Sequence, residues 1–427
     1  MSIYLVERAT GALAGLALGD ALGTTLEFRP RPAQPVITDM VGGGPFQLQP
    51  GQWTDDTSMM LCLADSLIEK GKSDPADQMR RYINWRDWGH NSCTGTCFDI
   101  GNTVAGALRS FERSGEALAG SCDPNSAGNG SLMRVAPVAL LMHYASLSQA
   151  MALAADSSAT THGEQRCIDA CRYMTYLIHT LLNSNARPDN ARLLNSDVRP
   201  DKAQLLSDSA LALAPYLVGM HPDTRRIIAG SYRHKTREQI SSSGYVLSSL
   251  EAALWCFWHS ETFEEGALLA ANLGDDADTV AAIYGQLAGA WYGYGALPAS
   301  WLEKLAWREE IQRRALLLLA RQNDALHGFI ADCRRAGDLG KGLVFMTISG
   351  QHGLELPGFH WRDWIEGQRQ LLDPQAISRA SMADCLCLIT TLNRAERFTE
   401  GLLESYAATG VLQAIVNRLA ELSNYAE

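Results

Sequence analysis

The sequence predicts an all-α protein, with a compact multi-helix domain followed by a small C-terminal helical domain. Apolar residues recur at helical spacing through most of the chain, as in Met60, Leu63, Ala64 and Leu67. No stretch shows sustained strict alternation of apolar and polar residues, so few strands are expected. The chain has 427 residues, more than one domain usually contains, which favours two domains.

Two acidic helix starts that also carry hydroxyl groups lie more than two hundred residues apart. The first is segment 51–57 (GQWTDDT), in which Asp56 or Thr57 would cap the following helix and Gly71 would end it. The second is segment 274–279 (GDDADT), again before an apolar helix. If the two segments converge, their oxygen atoms form a cage suited to hard divalent cations, and this convergence is the central hypothesis.

Glycines recur every four residues in two predicted helices. One helix is predicted over residues 5–24 and the other follows Asp278, and the glycines are Gly11, Gly15, Gly19, Gly23, Gly285, Gly289 and Gly293. Each glycine costs a helix about 1 kcal/mol relative to alanine, so the repetition needs a reason. A strip without side chains lets another helix approach closely. We therefore expect these helices to pack backbone to backbone and to bring Asp20 and Glu27 near both acidic segments; the alternative is a core contact without chemistry.

Three polar segments between helices are further candidates for the site. Asp99 precedes a helix, either as its N-cap or as another functional carboxylate. In the loop 125–134 (NSAGNGSLMR), backbone amides and Arg134 could bind phosphate and ribose oxygens. Alternatively, the segment is a plain capped loop in which Arg134 forms a surface ion pair. His162 is more simply structural, and Tyr245 either packs in the core or stacks on a base.

Composition excludes several classes of protein. The formal net charge of −11 argues against a broad nucleic-acid surface and suits a protein that gathers metal ions. The most apolar N-terminal stretch, 9–18, is cut off by Asp20 and is shorter than the roughly 20 residues of a membrane span, so no membrane association is expected. The ten cysteines form no CxxC pair, which indicates free thiols in a reducing cytoplasm.

The last hundred or so residues differ in character from the rest. A hydrophilic bridge around 334–341 leads into apolar helical segments, and no catalytic constellation is visible there. Trp361, Trp364 and Phe398 are most simply core residues, with a docking surface as the alternative. Residues 183–202 read as an exposed polar excursion between helices.

Seven stretches of the chain, in order, resemble motifs of the ADP-ribosylglycohydrolase family, most closely its bacterial dinitrogenase-reductase-activating branch. They read GALAGLALGDALGTTLEF, GGGPFQLQPGQWTDDTSMMLCLADSL, FDIGNTVAGALRSFERSG, GNGSLMRVAPVAL, TTHG, SSGYVLSSLEAALW and LGDDADTVAAIYGQLAGAWYG. The resemblance implies an all-helical, cytosolic catalytic domain over residues 1–322. Residues 323–427 loosely resemble a small helical module of unknown function from bacterial proteins.

The resemblance also implies roles for individual residues. It implies two divalent cations, Mg²⁺ or Mn²⁺, with ligands Thr54, Asp55, Asp56, Asp276, Asp278 and Thr279. The implied catalytic carboxylates are Asp99, Glu27 and Asp55. The implied substrate contacts are Asn102, Asn129, Gly130, Ser131, Met133, Arg134, His162 and Tyr245. Asp275 falls where many members of the family carry glycine, and we expect it to lie behind the ligands.

The implied reaction is hydrolysis of the glycosidic bond that joins ADP-ribose to a modified protein, with arginine as the favoured acceptor. The cations would orient a water molecule, with Asp99 or Glu27 as acid or base. This activity would reverse a regulatory or toxin-imposed modification. Alternatives are the same chemistry on ADP-ribose linked to serine, a nucleic acid or a metabolite, and a non-catalytic protein that binds ADP-ribose or a toxin. The C-terminal domain would affect the choice of partner, a toxin or a target protein.

Overall fold

The computed structural model describes residues 3–31, 36–184, 201–321, 323–337, 339 and 342–423. The chain folds into two compact units. Among the described residues, the larger unit comprises 3–31, 36–64, 73–184 and 201–315, and the smaller comprises 65–72, 316–321, 323–337, 339 and 342–423. The described residues contain helices and three isolated β-bridges but no strand, which confirms the all-α prediction.

Most helices of the larger unit are short and are connected by loops and 3₁₀ turns. The helices from the N-terminus to the unit boundary are α1 Ile3–Gly23, α2 Asp55–Lys70, α3 Pro75–Trp88, α4 Asn102–Ser114, α5 Ala136–Leu141, α6 Leu147–Ala159, α7 Gln165–Leu182, α8 Lys202–Ala212, α9 Ala214–Leu217, α10 Pro222–Ile228, α11 Val246–Trp258, α12 Phe263–Ala271, α13 Ala277–Tyr292, α14 Ala299–Lys304 and α15 Arg308–Ala320. The last residues of α2 and of α15 group with the smaller unit.

The smaller unit is also helical, and its remaining helices are α16 Asn323–Ala336, α17 Gly342–Gln351, α18 Trp361–Gly367, α19 Pro374–Ile377, α20 Met382–Glu396, α21 Leu402–Ala408 and α22 Val411–Leu422. Phe398 was predicted to be a core residue, and this prediction is wrong because its side chain is 70% exposed. The ring lies beside Trp361, and the guanidinium of Arg362 lies over both rings. A cation–π contact thus holds these rings at the surface.

The glycine strips of α1 and α13 face each other at very short range, as predicted. A Cβ atom added to Gly285 would lie 2.0 Å from the carbonyl oxygen of Gly15, and one added to Gly289 would lie 1.9 Å from that of Gly11. Gly19 meets the backbone of Ala281 in the same way. The pairing is antiparallel, and every residue of α13 is buried. The helix pair therefore forms the centre of the larger unit and fixes where α13 begins.

Two predicted helix caps differ in the structure. α2 already includes Asp56 and Thr57 in its first turn, so neither residue is its N-cap. The N-cap of α4 is Gly101, not Asp99. Gly71 ends α2 as predicted, with φ +65 and its N–H donating to the Leu67 carbonyl at 2.8 Å.

Two further predictions concern the chain between and outside these helices. The polar excursion predicted over 183–202 lies almost wholly outside the described residues. Within the described part of the chain, no helix combines the length and the apolar character that crossing a membrane requires.

Candidate active site

The two acidic helix starts lie against each other in the structure. The hydroxyl oxygen of Thr54, just before α2, lies 3.3 Å from Asp278 Oδ2. From the first turn of α13, the hydroxyl of Thr279 donates to Asp56 Oδ2 at 3.4 Å. The close packing of α1 on α13 places both helix starts at the C-terminal end of α1. Two segments separated by more than two hundred residues thus bring their side-chain oxygen atoms together in one cluster.

Asp20 is a fully buried carboxylate that ties α1 to the start of α2. Its Oδ1 accepts from the backbone N–H and the hydroxyl of Thr54, at 2.8 and 2.9 Å. Its Oδ2 accepts from the same two groups of Thr57, at 3.0 and 2.7 Å. The N–H groups at a helix start have no partner within the helix, and Asp20 supplies one from another helix. Asp20 therefore caps α2 from a distance of 34 residues in sequence.

Glu27 caps α13 in the same manner. Its Oε2 accepts from the N–H of Ala277 at 2.9 Å and from that of Asp278 at 3.3 Å. Glu27, Asp99 and Asp278 each place a carboxylate oxygen within 4.8 Å of the others. Asp20, Asp56 and Asp278 form a second group within the same limit. Asp278 belongs to both groups and connects them.

Burial raises the pKa values of these carboxyls, because a charge is costly where water is excluded. The pKa values of Asp55, Asp56 and Asp278 lie well above the usual range, and repulsion from neighbouring acids adds to the effect of burial. The pKa of Glu27 is raised to about 8. The pKa of Asp99 is raised to about 7. The cluster is thus strained electrostatically when no cation is bound.

The donor atoms of the cluster fit divalent cations. Among the described residues, no lysine or arginine forms an ion pair with any of these carboxylates. Asp56 Oδ1 is buried and has no hydrogen-bond partner. Buried polar atoms nearly always have a partner, so an orphaned carboxylate oxygen points to a cation. Carboxylate and hydroxyl oxygens are the ligands that hard cations prefer. The cluster can therefore hold a metal ion.

Asn129 orients Asp276 at the edge of this cluster. Its side-chain amide donates to Asp276 Oδ2 at 2.5 Å and to Ser249 Oγ at 2.8 Å. Burial raises the pKa of Asp276 to about 6, and the hydrogen bond from Asn129 opposes that rise. The glycine-rich loop that follows α4 is thereby attached to the start of α13.

A cavity of about 520 Å³ opens beside the cluster. Ten of the residues predicted for the site line it: Glu27, Asp55, Asp99, Asn102, Asn129, Gly130, Met133, His162, Asp276 and Thr279. Thr54, Asp56 and Asp278 lie behind this surface and are buried. One cavity thus adjoins the proposed metal ligands and most of the proposed substrate contacts.

His162 lies in the cavity wall as an uncharged ring. Its Nδ1 shares a hydrogen bond of 2.8 Å with the hydroxyl of Thr161. Burial, together with the nearby charge of Arg134, lowers its pKa to about 3. A Cβ atom added to Gly130 would lie 3.0 Å from the ring, so the glycine lets the loop pass directly over the imidazole. His162 can therefore offer shape and a hydrogen bond to a ligand but no positive charge.

Arg134 and Ser131 do not line this cavity. The Arg134 guanidinium is fully buried and lies over the ring of Tyr82. It donates to the Gly130 carbonyl at 2.8 Å and to the Thr161 hydroxyl at 2.8 Å. Arg134 thus holds the glycine-rich loop and the segment before His162 in place. Ser131 is buried and shares a hydrogen bond of 2.9 Å with Ser158.

Tyr245 lines a second, smaller cavity of about 380 Å³ instead of the first. Its hydroxyl accepts from Arg166 at 3.1 Å, and the same guanidinium lies over the ring. Its neighbour Gly244 lines the first cavity, so this short segment separates the two.

Sequence reasoning missed Phe28 and placed Asp275 only behind the ligands, whereas both line the cavity. Phe28 is the last residue of the stretch GALAGLALGDALGTTLEF, but the resemblance assigns it no role. Asp275 stands inside the second acidic segment, where its position in the lining depends on backbone conformation. Both residues have positive φ values, +59 and +63, which no local sequence pattern predicts.

Two known protein families match different parts of this chain. The model of the ADP-ribosylglycohydrolase family matches residues 1–328, so the chain belongs to the ADP-ribosylglycohydrolase family of enzymes. A family of unknown function, DUF6508, matches residues 343–425. The family and the additional C-terminal helical module predicted from the sequence are both confirmed.

Individual relatives place the chain within this family. It is 45% identical over 316 residues to the ADP-ribosylarginine hydrolase Tri1 of Pseudomonas putida, covering 74% of this chain and 79% of the relative. It is 33% identical to the ADP-ribosyl-[dinitrogen reductase] glycohydrolase of Rhodospirillum rubrum, covering 74% of this chain and 96% of the relative. A solved structure described as an ADP-ribosylglycohydrolase-related protein complex contains a similar chain, with a TM-score of 0.61 and 39% identity, covering 74% of this chain and 98% of that one.

Proposed function

We propose that this protein hydrolyses the glycosidic bond between ADP-ribose and an arginine side chain of a modified protein. The observation that carries the proposal is the convergence of two acidic helix starts on one cavity in a chain of this family. The similarity to an ADP-ribosylarginine hydrolase supports arginine as the acceptor. In this role the enzyme would reverse a regulatory or toxin-imposed modification.

We propose two divalent cations, Mg²⁺ or Mn²⁺, as cofactors, held by Thr54, Asp55, Asp56, Asp276, Asp278 and Thr279. The orphaned oxygen of Asp56 and the lack of ion pairs between the cluster and the described residues support this choice. When bound, such ions supply positive charge that attracts ribose hydroxyls and makes water more acidic. Asp20 is left outside the ligand set because four hydrogen bonds already occupy its two oxygens.

The acid–base work is assigned to Asp99 and Glu27. Both line the cavity, and a carboxyl group there can donate a proton to, or accept one from, a reacting atom. Without a cation, burial raises the pKa of Asp99 to about 7 and that of Glu27 to about 8. A positive charge develops at the anomeric carbon as the acceptor departs, and nearby carboxylates stabilise it. Asp55 contributes to that field from the cavity wall. Arg134 acts as a positioning residue, because its contacts hold the loop that carries Asn129 and Gly130.

We propose residues 1–322 as the catalytic domain and residues 323–427 as an accessory domain. The accessory domain would contact a toxin or a target protein, and this role stays a prediction. A cytoplasmic location is proposed as well, since the ten cysteines are free thiols, as is typical of a reducing compartment.

The test is release of ADP-ribose from arginine-, serine- and nucleic-acid-linked substrates, in Mg²⁺, in Mn²⁺ and in EDTA. We expect metal-dependent release from the arginine-linked substrate. Release only from another linkage would show that the acceptor is not arginine. Tight binding of ADP-ribose without release from any substrate would show that the protein binds ADP-ribose but does not hydrolyse the bond.

The Asp99→Asn variant tests the acid–base assignment. We expect kcat to fall by roughly 100-fold or more, the usual contribution of a positioned acid or base. The metal-free variant should unfold at no lower a temperature than the wild type, because Asp99 raises the pKa of Asp55 by repulsion. Glu116→Gln, an exposed charge change outside the cavity lining, is the control. A wild-type kcat in Asp99→Asn would exclude this role.

A further inference from the structure

The residues that line the main cavity fall into two sets by charge. One set contains five acids and a phenyl ring: Glu27, Asp55, Asp99, Asp275, Asp276 and Phe28. The other set, from the start of α4, the glycine-rich loop and the segment before α7, contains no charged side chain, and His162 is neutral. Cations bound as proposed would offset the charge of the ligand acids Asp55 and Asp276, whereas Asp275 lies outside the proposed ligand set. Asp275 is therefore the acid of this set that suits a cationic part of the substrate.

Phe28 is unusual within the acidic set. Its side chain is 64% exposed, whereas Glu27 beside it is only 2% exposed. Its backbone has φ +59, a conformation that a bulky residue rarely adopts. Such strain persists only where surrounding contacts impose it, and it is found most often at functional sites. Phe28 therefore holds an exposed ring at the cavity against the preference of its own backbone.

The ring of Phe28 belongs to a row of three aromatic rings. Its centroid lies 6.3 Å from that of Phe46, with the planes at 74°. The ring of Phe46 in turn lies 5.1 Å from that of Phe98, the residue before Asp99. The first contact is edge-to-face and the second is tilted, and contacts between aromatic rings restrict the orientation of each ring. One side of the Phe28 ring is thus held by protein while most of its surface is open.

Two backbone hydrogen bonds hold Asp275 against Phe28 and Arg29. The N–H of Phe28 donates to the Asp275 carbonyl at 2.8 Å, and the N–H of Asp275 donates to the Arg29 carbonyl at 2.7 Å. Arg31 reinforces this contact by donating to the Leu273 carbonyl at 3.0 Å. The Asp275 side chain is exposed, lines the cavity and forms no ion pair with any described residue.

We infer that Phe28 and Asp275 form the subsite for the guanidinium of the arginine acceptor, an inference that rests on the proposed function. A guanidinium is planar and always charged, and it both stacks on aromatic faces and pairs with carboxylates. Asp275 is the one acid of the set that neither binds a proposed cation nor takes part in proton transfer. Arg31 lies close enough to interact electrostatically with Asp275, but its guanidinium donates to backbone carbonyls and forms no ion pair with that carboxylate. The Asp275 carboxylate therefore remains able to pair with the acceptor. A serine acceptor is neutral and gains nothing from either residue.

The test compares Asp275→Asn, Asp275→Gly and Phe28→Leu with the wild type on an arginine-linked substrate. Asparagine and glycine both accept a positive φ, so neither change at 275 should disturb the backbone. Leucine keeps apolar bulk and removes the ring face. We expect KM to rise about tenfold for both changes at 275 and about threefold for Phe28→Leu, with kcat much less affected. The inhibition constant of free ADP-ribose, which lacks the acceptor, should stay unchanged.

Glu116→Gln removes one exposed negative charge outside the cavity and should leave KM unchanged. Raising the salt concentration should increase the KM of the wild type more than that of Asp275→Asn, because screening weakens a charge that the variant lacks. An unchanged KM in both variants at 275 would overturn the subsite. So would an inhibition constant of free ADP-ribose that rises as much as KM does. In either case the proposed function would still stand. A wild type inactive on the arginine-linked substrate would overturn the proposed function and the subsite with it.

Discussion

Asp20 caps the start of α2, a role that cannot be read from its position in the sequence. Its two oxygens accept four hydrogen bonds from Thr54 and Thr57, and no other described residue reaches all four donors. Burial raises the pKa of Asp20 and these donors oppose the rise, because hydrogen bonds favour the ionised carboxylate. The position of the first acidic segment therefore depends on one side chain of α1.

Asp20→Asn should destabilise the protein by about 2–4 kcal/mol. An amide offers one acceptor where the carboxylate offers two, so buried N–H and hydroxyl donors of one threonine lose their partner. Thr57→Val removes a single hydroxyl and should cost about 1 kcal/mol, which makes it the matched control. Urea unfolding at neutral pH measures both values. Equal stability of Asp20→Asn and wild type would contradict the capping role.

At the scale of elements, the pair α1 and α13 determines the geometry of the site. Glycine at every fourth position allows the two backbones to touch, and this contact brings Asp20 and Glu27 to the starts of α2 and α13. The cost of placing glycine in helices is about 1 kcal/mol per residue. Close packing along the whole of α1 offsets that cost.

Gly285→Ala should destabilise the protein by roughly 2–4 kcal/mol although alanine favours helices. The added Cβ would lie 2.0 Å from a backbone oxygen of Gly15, so one helix must move. Gly106→Ala in α4 is the matched control, because nothing lies within 4 Å of its added Cβ. That variant should gain up to about 1 kcal/mol from helix propensity alone. Unfolding free energies of the two variants would show opposite signs, and equal signs would contradict the close packing.

For the molecule as a whole, the buried acids predict how stability depends on pH and on cations. The pKa values of Glu27 and Asp99, about 8 and 7, exceed those of an unfolded chain, which lie near 4. Between these values the folded protein binds more protons than the unfolded one. The resulting stability is complete below about pH 4 and is lost as pH rises through 7 and 8.

In EDTA, the unfolding temperature should therefore fall by a few degrees between pH 6.5 and 8.5, a loss on the order of 1–3 kcal/mol. The unfolding temperature of Glu27→Gln should fall less over the same pH range. Glutamine keeps an oxygen that accepts hydrogen bonds from the start of α13, but it does not titrate. Added Mg²⁺ or Mn²⁺ should raise the unfolding temperature more at pH 8.5 than at pH 6.5, since protons compete with metals for carboxylates. Thermal scans at several pH values measure this, and a rise with pH in EDTA would refute it.

The helical class, the two acidic helix starts, the glycine strips and the family could all be predicted from the sequence. These are local properties, because helical periodicity, glycine spacing and sequence motifs depend on residues that are close together in the chain. The pairing of the two glycine strips could also be predicted, since each strip lacks side chains over the same four-residue repeat. The prediction of Asp56 or Thr57 as the cap of α2 is wrong, because Asp20 accepts from the N–H groups at that helix start. Of the two alternatives for Asp99, the cap is excluded because Gly101 is the N-cap of α4.

Which side chains face the cavity depends on how distant segments pack together. Arg134 and Tyr245 read alike as ligand contacts in sequence, yet Arg134 is enclosed by the loop it supports and Tyr245 faces a different cavity. Phe28 and Asp275 line the cavity with positive φ values, and backbone hydrogen bonds join Phe28 to Asp275 and Asp275 to Arg29. Burial and partner choice depend on segments far apart in the chain, and no local pattern contains them.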